Sequence, residues 1–217
     1  HLVSGGMGIN LNTLSPKYDR MIKNIIKSPG NVFCYSQFRS VEGIEIFSRA
    51  LSFNGFQRVK LVDIPFDYDT ISIGDTVRYE HDEDEWSCYK VLDITSDNSQ
   101  VQLDGVSDKV AINKVFKCRF ALWTGTEDVE ERRKIQTLYN SPENRYGQQC
   151  LILLTTQSGS EGISLHNVRQ VHVMEPYWNN VRIDPFTYIG GGLITGDHIQ
   201  ICSSKKIEVV EPKSPVP

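Results

Sequence analysis

Long apolar runs are missing from this 217-residue sequence. No stretch approaches the roughly 18–20 consecutive apolar residues that cross a bilayer. No basic-then-apolar leader opens it. A membrane role is therefore not expected. Cysteine is sparse and odd in number: Cys34, Cys88, Cys118, Cys150 and Cys202. No C-x-x-C occurs, which argues against a zinc ribbon or a disulfide framework and for buried free thiols inside a cell. The histidines His1, His81, His166, His172 and His198 show no metal-ligand spacing, so no metal site is expected. The G-x-x-x-x-G-K-[ST] phosphate loop is also missing, because Gly5-Gly6-Met7-Gly8 supplies glycines without the lysine.

Basic residues are scarce in one region. From Asp63 to Asp108 thirteen acids face two bases, Arg78 and Lys90, a local net of −11. The whole chain carries −4, so the rest carries +7. The average alone argues against a nucleic-acid partner. Resolved along the chain, it describes a basic body interrupted by an acidic block, a pattern of two modules. The body can approach phosphates, while the block repels them or attracts a basic protein segment.

Outside the block, helix and strand signals alternate. Ser15-Pro16 is a helix start, followed by Tyr18, Met21, Ile22, Ile25 and Ile26 on one face. Val32 to Ser36 reads as a buried strand. Val41, Ile44, Phe47 and Leu51 mark a second helix that Asn54-Gly55 stops. Residues 57–62 and 120–123 read as strands. Thr124 and Glu127 read as a capping box for a helix reaching Tyr139, with Val129, Ile135 and Leu138 facing in. Residues 150–155 and 169–174 are further apolar strands. The expected class is α/β, a parallel sheet flanked by helices. The block reads as all-β, with strands at 76–80, 86–94, 100–104 and 110–116 separated by turn residues. It is expected to form a small barrel inserted in one loop.

Residues 155–165, Thr-Thr-Gln-Ser-Gly-Ser-Glu-Gly-Ile-Ser-Leu, lead from a buried strand into a loop of hydroxyls, an amide and glycines. Such a loop lets backbone N–H groups approach an anion beyond the carboxyl end of a strand. An ordinary flexible loop has the same composition, and spacing alone does not separate the two.

Four segments in order give the sequence a likeness: VFCYSQF (32–38), a strand ending in Trp123-Thr124-Gly125, GSEGISL (159–165) and VRQVHVMEPYWNNVRID (168–184). Together they resemble the C-terminal RecA-like domain of superfamily 2 helicases, most of all those of nucleocytoplasmic large DNA viruses. The likeness covers about 11–62 and 120–184, so residues 1–62 and 119–184 are expected to form one discontinuous domain. Residues 63–118 are expected to form the inserted barrel, and 185–217 an extension with an extended tail. The resemblance implies nucleic-acid contacts by Ser36, Gln37, Thr124, Gly125, Ser158 and Gly159. It implies that Glu161 and Gly162 face a nucleotide. It also implies ATP and Mg2+ as cofactors, held with an N-terminal RecA-like domain as partner. The family's Gln-x-x-Gly-Arg-x-x-Arg motif has no counterpart after Asp184, where the sequence reads Pro185-Phe186-Thr187-Tyr188-Ile189-Gly190. No arginine finger is carried over, and no catalytic residue is assigned.

Within the block, Gly74 to Tyr79, Trp86, Tyr89 to Val91 and Val101 to Leu103 resemble a Tudor-like barrel. Tyr79, Trp86 and Tyr89 are candidates for an aromatic cage, with the acids at 82–85 as counter-charge to a cation. Core packing of Trp86 and Tyr89 is the alternative. The expected function is the nucleic-acid-gripping half of an ATP-dependent helicase or translocase, acting on single-stranded or duplex nucleic acid. The expected location is the cytoplasm or nucleus of an infected cell, or a virion. The alternative is a non-catalytic RecA-like scaffold whose barrel recruits a protein partner.

Overall fold

A computed structural model describes residues 11–40, 43–60, 70–156, 163–175, 186–189, 192–195 and 200–201. Helix α1 (Leu11–Leu14) leads into α2 (Pro16–Ile26), whose Ser15 hydroxyl caps the Tyr18 N–H. Strand β1 (Asn31–Ser36) is buried along its whole length. Then come α3 (Ile44–Phe53) and β2 (Gln57–Arg58). Five strands follow: β3 (Thr76–Asp82), β4 (Glu85–Ile94), β5 (Gln100–Leu103), β6 (Val110–Ala111) and β7 (Val115–Lys117). The chain continues through β8 (Arg119–Trp123), α4 (Val129–Asn140), β9 (Ile152–Thr156), β10 (Ser164–Leu165) and β11 (Val168–Val173). Strands β12 (Phe186–Ile189), β13 (Gly192–Thr195) and β14 (Gln200–Ile201) complete it.

The main sheet runs β14-β11-β1-β9-β8-β2, and every pairing in it is parallel. Alternate residues of β1 divide between two cores. Phe33 and Tyr35 pack with Ile135, Leu138 and Tyr139 of α4. Val32 and Cys34 pack with Met21, Ile22 and Ile25 of α2 and Ile44, Phe47 and Leu51 of α3. A sheet covered on both faces has continuous apolar strands, which is why 32–36 and 150–155 do not alternate. The α/β class read from the sequence is what forms. Strands β12 and β13 make an antiparallel hairpin beside β10, and β14 extends the main sheet past β11. No helix among the described residues is long and apolar enough to cross a membrane.

Three local expectations change. Asp128, not Thr124, caps α4, accepting the Glu131 N–H at 2.7 Å. Val129 is 70 % exposed rather than inward-facing, because the helix begins there and its first turn overhangs the core. The strand expected at 110–116 is split by a 3-10 turn, Ile112–Lys114.

That turn joins the two edge strands of the second sheet, ordered β6-β5-β4-β3-β7 and antiparallel throughout. Joining edges through three residues makes the sheet curl into a half-barrel around Ile71, Val77, Val91, Val101, Leu103, Val110 and Val115. It stands between β2 and β8, which are parallel neighbours (Gln57↔Arg119, Arg58↔Phe120). Parallel neighbours need a crossover, usually a helix, and here the curled sheet takes that place. At its entry Gly55 has φ +85°, and a Cβ there would meet Gly74 O at 2.5 Å. Only glycine fits that approach.

The curled sheet is pinned to the main one. Arg78 of β3 is fully buried; its Nε donates to Tyr146 O and its Nη1 to Ser28 O, both at 2.7 Å. Trp86 stacks on Tyr146 with centroids 5.7 Å apart and planes 10° from parallel. The Tyr146 hydroxyl donates to Asp84.

Candidate nucleic-acid interface

Because the main sheet is wholly parallel, the carboxyl ends of its strands share one edge, where α/β sheets bind ligands. Along that edge stand Glu175 after β11, Ser36 ending β1, Thr156 ending β9 and Thr124 after β8. Two of the segments singled out in the sequence, Ser36-Gln37 and Thr124-Gly125, are thus brought to one edge. Ser158, Gly159, Glu161 and Gly162 lie outside the described residues.

Ser36 does not face outward as expected; it is fully buried. Its hydroxyl donates to Glu175 Oε2 at 2.7 Å and accepts the Phe38 N–H at 3.1 Å. The same carboxylate oxygen accepts the Gln37 N–H at 3.0 Å. Lys17 Nζ stands 3.6 Å from its Oε1. Ser36 and Glu175 therefore hold the turn that presents Gln37 and the half-exposed Phe38. The turn then folds back on α3: Ile44 N–H donates to Phe38 O, and Glu45 N–H to Arg39 O. Gly43 permits this, since a Cβ there would sit 1.8 Å from Phe38 O.

Thr124 is 4 % exposed, so it too acts from within. Its N–H donates to Glu127 Oε2 at 2.7 Å and its hydroxyl to Oε1 at 3.0 Å. The Glu127 carboxylate reaches back as in a capping box, but it orders the loop before the helix rather than the helix itself. Burial would raise the Glu127 pKa; the Thr124 bonds and the nearby Arg39 charge outweigh it, and the pKa is lowered. Thr156 ties the neighbouring strand in, its hydroxyl donating to Thr124 O at 3.1 Å. Gly125 is exposed, with φ +84°, and leaves the backbone bare at the loop tip.

A groove of about 710 Å3 opens beside this loop, lined among others by Arg39, Arg49, Arg58, Phe53 and Thr126. Arg39 pairs with Glu45 at 3.3 Å. Arg49 and Arg58 are exposed and pair with no carboxylate among the described residues. The sequence carries no motif for this groove. Its arginines come from α3 and β2 and meet only in the fold. Glu175 lies within the 168–184 segment that carries the likeness, but the sequence alone assigns it no role.

The three-ring cage is not formed. Trp86 pairs across the sheet with Glu80, and Tyr79 with Ser87, which places Trp86 on the opposite face from Tyr79 and Tyr89. Trp86 is 7 % exposed and packs on Tyr146 and Phe116. Tyr79 and Tyr89 do meet, edge to face at 6.0 Å, with His81 6.3 Å from Tyr89. Among the described residues no group of three or more His, Cys, Asp or Glu could hold a metal ion.

No protein-family model matches the chain. It is 34 % identical over 172 residues to the termination factor NPH-I homolog of African swine fever virus, covering 79 % of this chain and 22 % of that protein. It is 26 % identical over 195 residues to a protein of Acanthamoeba polyphaga mimivirus named as an ATP-dependent RNA helicase, covering 90 % of this chain and 24 % of that one. A second mimivirus protein so named is 37 % identical over 83 residues, 38 % of this chain and 10 % of that protein. The chain thus spans less than a quarter of the length of these curated relatives. These three relatives are viral proteins named as helicases and a termination factor.

Proposed function

We propose that this chain is the strand-gripping, C-terminal RecA-like half of an ATP-dependent helicase or translocase. In this reading residues 1–62 and 119–184 form that domain, and 63–118 form an inserted Tudor-like barrel. The observation that carries the reading is the convergence of Gln37, Phe38 and Gly125 on one sheet edge beside an arginine-lined groove. Amides, backbone N–H groups and guanidinium groups hold phosphates without reading bases, and an exposed aromatic ring stacks on any base. Similarity to viral proteins named as ATP-dependent helicases supports the same reading.

Nucleotide chemistry in this reading comes from ATP and Mg2+ bound with an N-terminal RecA-like domain. This chain's part is to hold the strand while the cleft between the two domains opens and closes. Its Glu127 and Glu175 carboxylates order the two gripping turns, so the Gln37 side chain, the Phe38 ring and the Gly125 backbone are in place before a strand arrives. The isolated chain is expected to show no strand-stimulated ATP hydrolysis, for want of the phosphate loop and the paired arginines.

The test is single-strand binding by anisotropy across a salt series, for the whole chain and for Gln37→Ala. Nanomolar-to-micromolar binding that weakens with salt and is impaired by Gln37→Ala supports the reading. Binding that is absent at low salt, or indifferent to salt, overturns it.

A second reading rests on Tyr79 and Tyr89, partly buried rings at the margin of the curled sheet's core, with His81 and its partner Glu85 exposed beside them. That surface suits a basic protein segment. Binding of a lysine-rich peptide that is lost in Tyr89→Ala, with strand binding unchanged, would support this role for the insert.

A further inference from the structure

Arg78 poses a problem of charge. It is a fully buried guanidinium, and it pairs with no carboxylate among the described residues. Two carbonyls take two of its N–H groups, and Nη2 has no partner. A buried cation needs a compensating anion nearby. The nearest group able to carry a negative charge is the Cys88 thiol, with Sγ 3.6 Å from Nη1. On its other side, the Cys118 thiol donates to Cys88 Sγ at 3.3 Å.

We infer that Cys88 and Cys118 form an oxidisable dithiol at the joint of the two sheets, with Cys88 as the attacking sulfur and Cys118 as the resolving one. Cys88 lies between a guanidinium and an S–H donor, both of which favour its thiolate. The pKa values agree in direction. Burial would raise the Cys88 pKa, but the Cys118 hydrogen bond and Arg78 outweigh it and bring it to about 7. Burial raises that of Cys118 well above its ordinary value, so it keeps its proton. Both residues are buried, Cys88 with 4 % of its surface exposed and Cys118 with none, so Cys88 is the nearer of the two to solvent.

The oxidant class is a peroxide. The Cys88 thiolate attacks one peroxide oxygen; an S–O bond forms, the O–O bond breaks, and hydroxide leaves with a proton from solvent as water. The Cys118 sulfur then attacks the Cys88 sulfenic sulfur. The S–S bond forms, the S–O bond breaks, and the Cys118 proton leaves with the hydroxide as a second water. In sum, two thiols and one hydrogen peroxide give one disulfide and two waters. The sulfurs stand 3.3 Å apart against the roughly 2.05 Å of a disulfide, and because Cys88 and Cys118 flank β3 on opposite sides, closing the bond also draws their two backbones together. The product ties β4 to the residue that begins the return into β8. Cys34 and Cys150 are also free and fully buried.

The test uses the full chain treated with stoichiometric hydrogen peroxide, quenched, denatured and labelled with a maleimide. The reduced chain takes one label on each of its five cysteines. The oxidised chain is expected to take two fewer, and peptide mapping should show Cys88 joined to Cys118, about 2 Da lighter than the sum of the two. In Cys118→Ala, Cys88 should stop at the sulfenic acid and be captured by dimedone. Full labelling after peroxide, pairing through Cys34, Cys150 or Cys202, or Cys88 found as sulfinic acid would each overturn the inference. The wild-type mapping decides the matter even where a variant fails to fold.

Discussion

Arg78→Met asks whether the buried guanidinium holds the two sheets together or burdens them. Methionine matches the stem of arginine but donates no hydrogen bond. The substitution removes two charge-assisted bonds of 2.7 Å, worth about 1.5–3 kcal/mol each. It leaves Ser28 O and Tyr146 O without those donors. Against this, it relieves the burial of a cation that meets no carboxylate among the described residues, a cost of several kcal/mol when such a charge is uncompensated. If Cys88 supplies the compensation, the relief is small and the lost bonds win. The expected net loss is about 3 kcal/mol, which for a chain of this size lowers Tm by roughly 6–12 °C. Urea denaturation and calorimetry measure it, and limited proteolysis should show earlier cutting in the curled sheet. Arg78→Lys, with one donor reaching one carbonyl, should lose about half as much. An unchanged or raised Tm in Arg78→Met would refute the reasoning and make Arg78 a charge the fold tolerates rather than uses.

Arg49→Gln and Arg58→Gln should each flatten the slope of log affinity against log salt by about 0.7 for a single strand, measured by anisotropy; an unchanged slope would exclude the groove from the strand's path while leaving the sheet-edge reading to Gln37→Ala. His172 is buried, and burial lowers its pKa from 6.5 to about 4. The folded state therefore binds fewer protons than the unfolded one below pH 6.5. Its contribution is fully present above that pH and is lost as pH falls toward 4, by about 3 kcal/mol in all; acid titration of stability should be flatter in His172→Phe. Neutralising the exposed Glu83, Asp93 and Asp108 together should strengthen strand binding near 0.01 M salt and have little effect at 0.15 M, where the screening length falls from about 30 to 8 Å. Equal affinities at both salts would remove the acidic insert from the electrostatics of the grip.

Much of the scaffold is legible because its signals are local. Tyr18, Met21, Ile22 and Ile25 repeat at helical spacing, and all four are buried. The apolar run around Leu151 to Leu154 can only be a strand covered on both faces. Asn54-Gly55 stops α3 where the sequence says it should. What escapes depends on tertiary geometry. Thr124 and Glu127 have capping-box spacing, yet Asp128 captures the helix start because its own side chain reaches Glu131 N–H. Trp86, Tyr79 and Tyr89 look alike in sequence, but strand parity puts one ring on the far face, where Tyr146 covers it. Ser36 and Thr124 both stand at strand ends on one sheet edge, yet both are buried, with Glu175 and Glu127 taking their hydrogen bonds.

The crossover between β2 and β8 limits how the insert can be altered. A hairpin insertion leaves and re-enters its host at one point, so cutting it away restores a short loop. This one leaves β2 at one edge of the sheet and re-enters β8 at the other. Its ends are therefore offset along the strands by the length of β2, about 7 Å for its two residues. Excising 61–117 and joining the ends would tear out an edge strand of the main sheet along with the insert. A viable exchange must carry a bridge of a dozen or more residues that also packs on the sheet. The insert is thus a structural member of its host, open to replacement by a helix but not to simple loss.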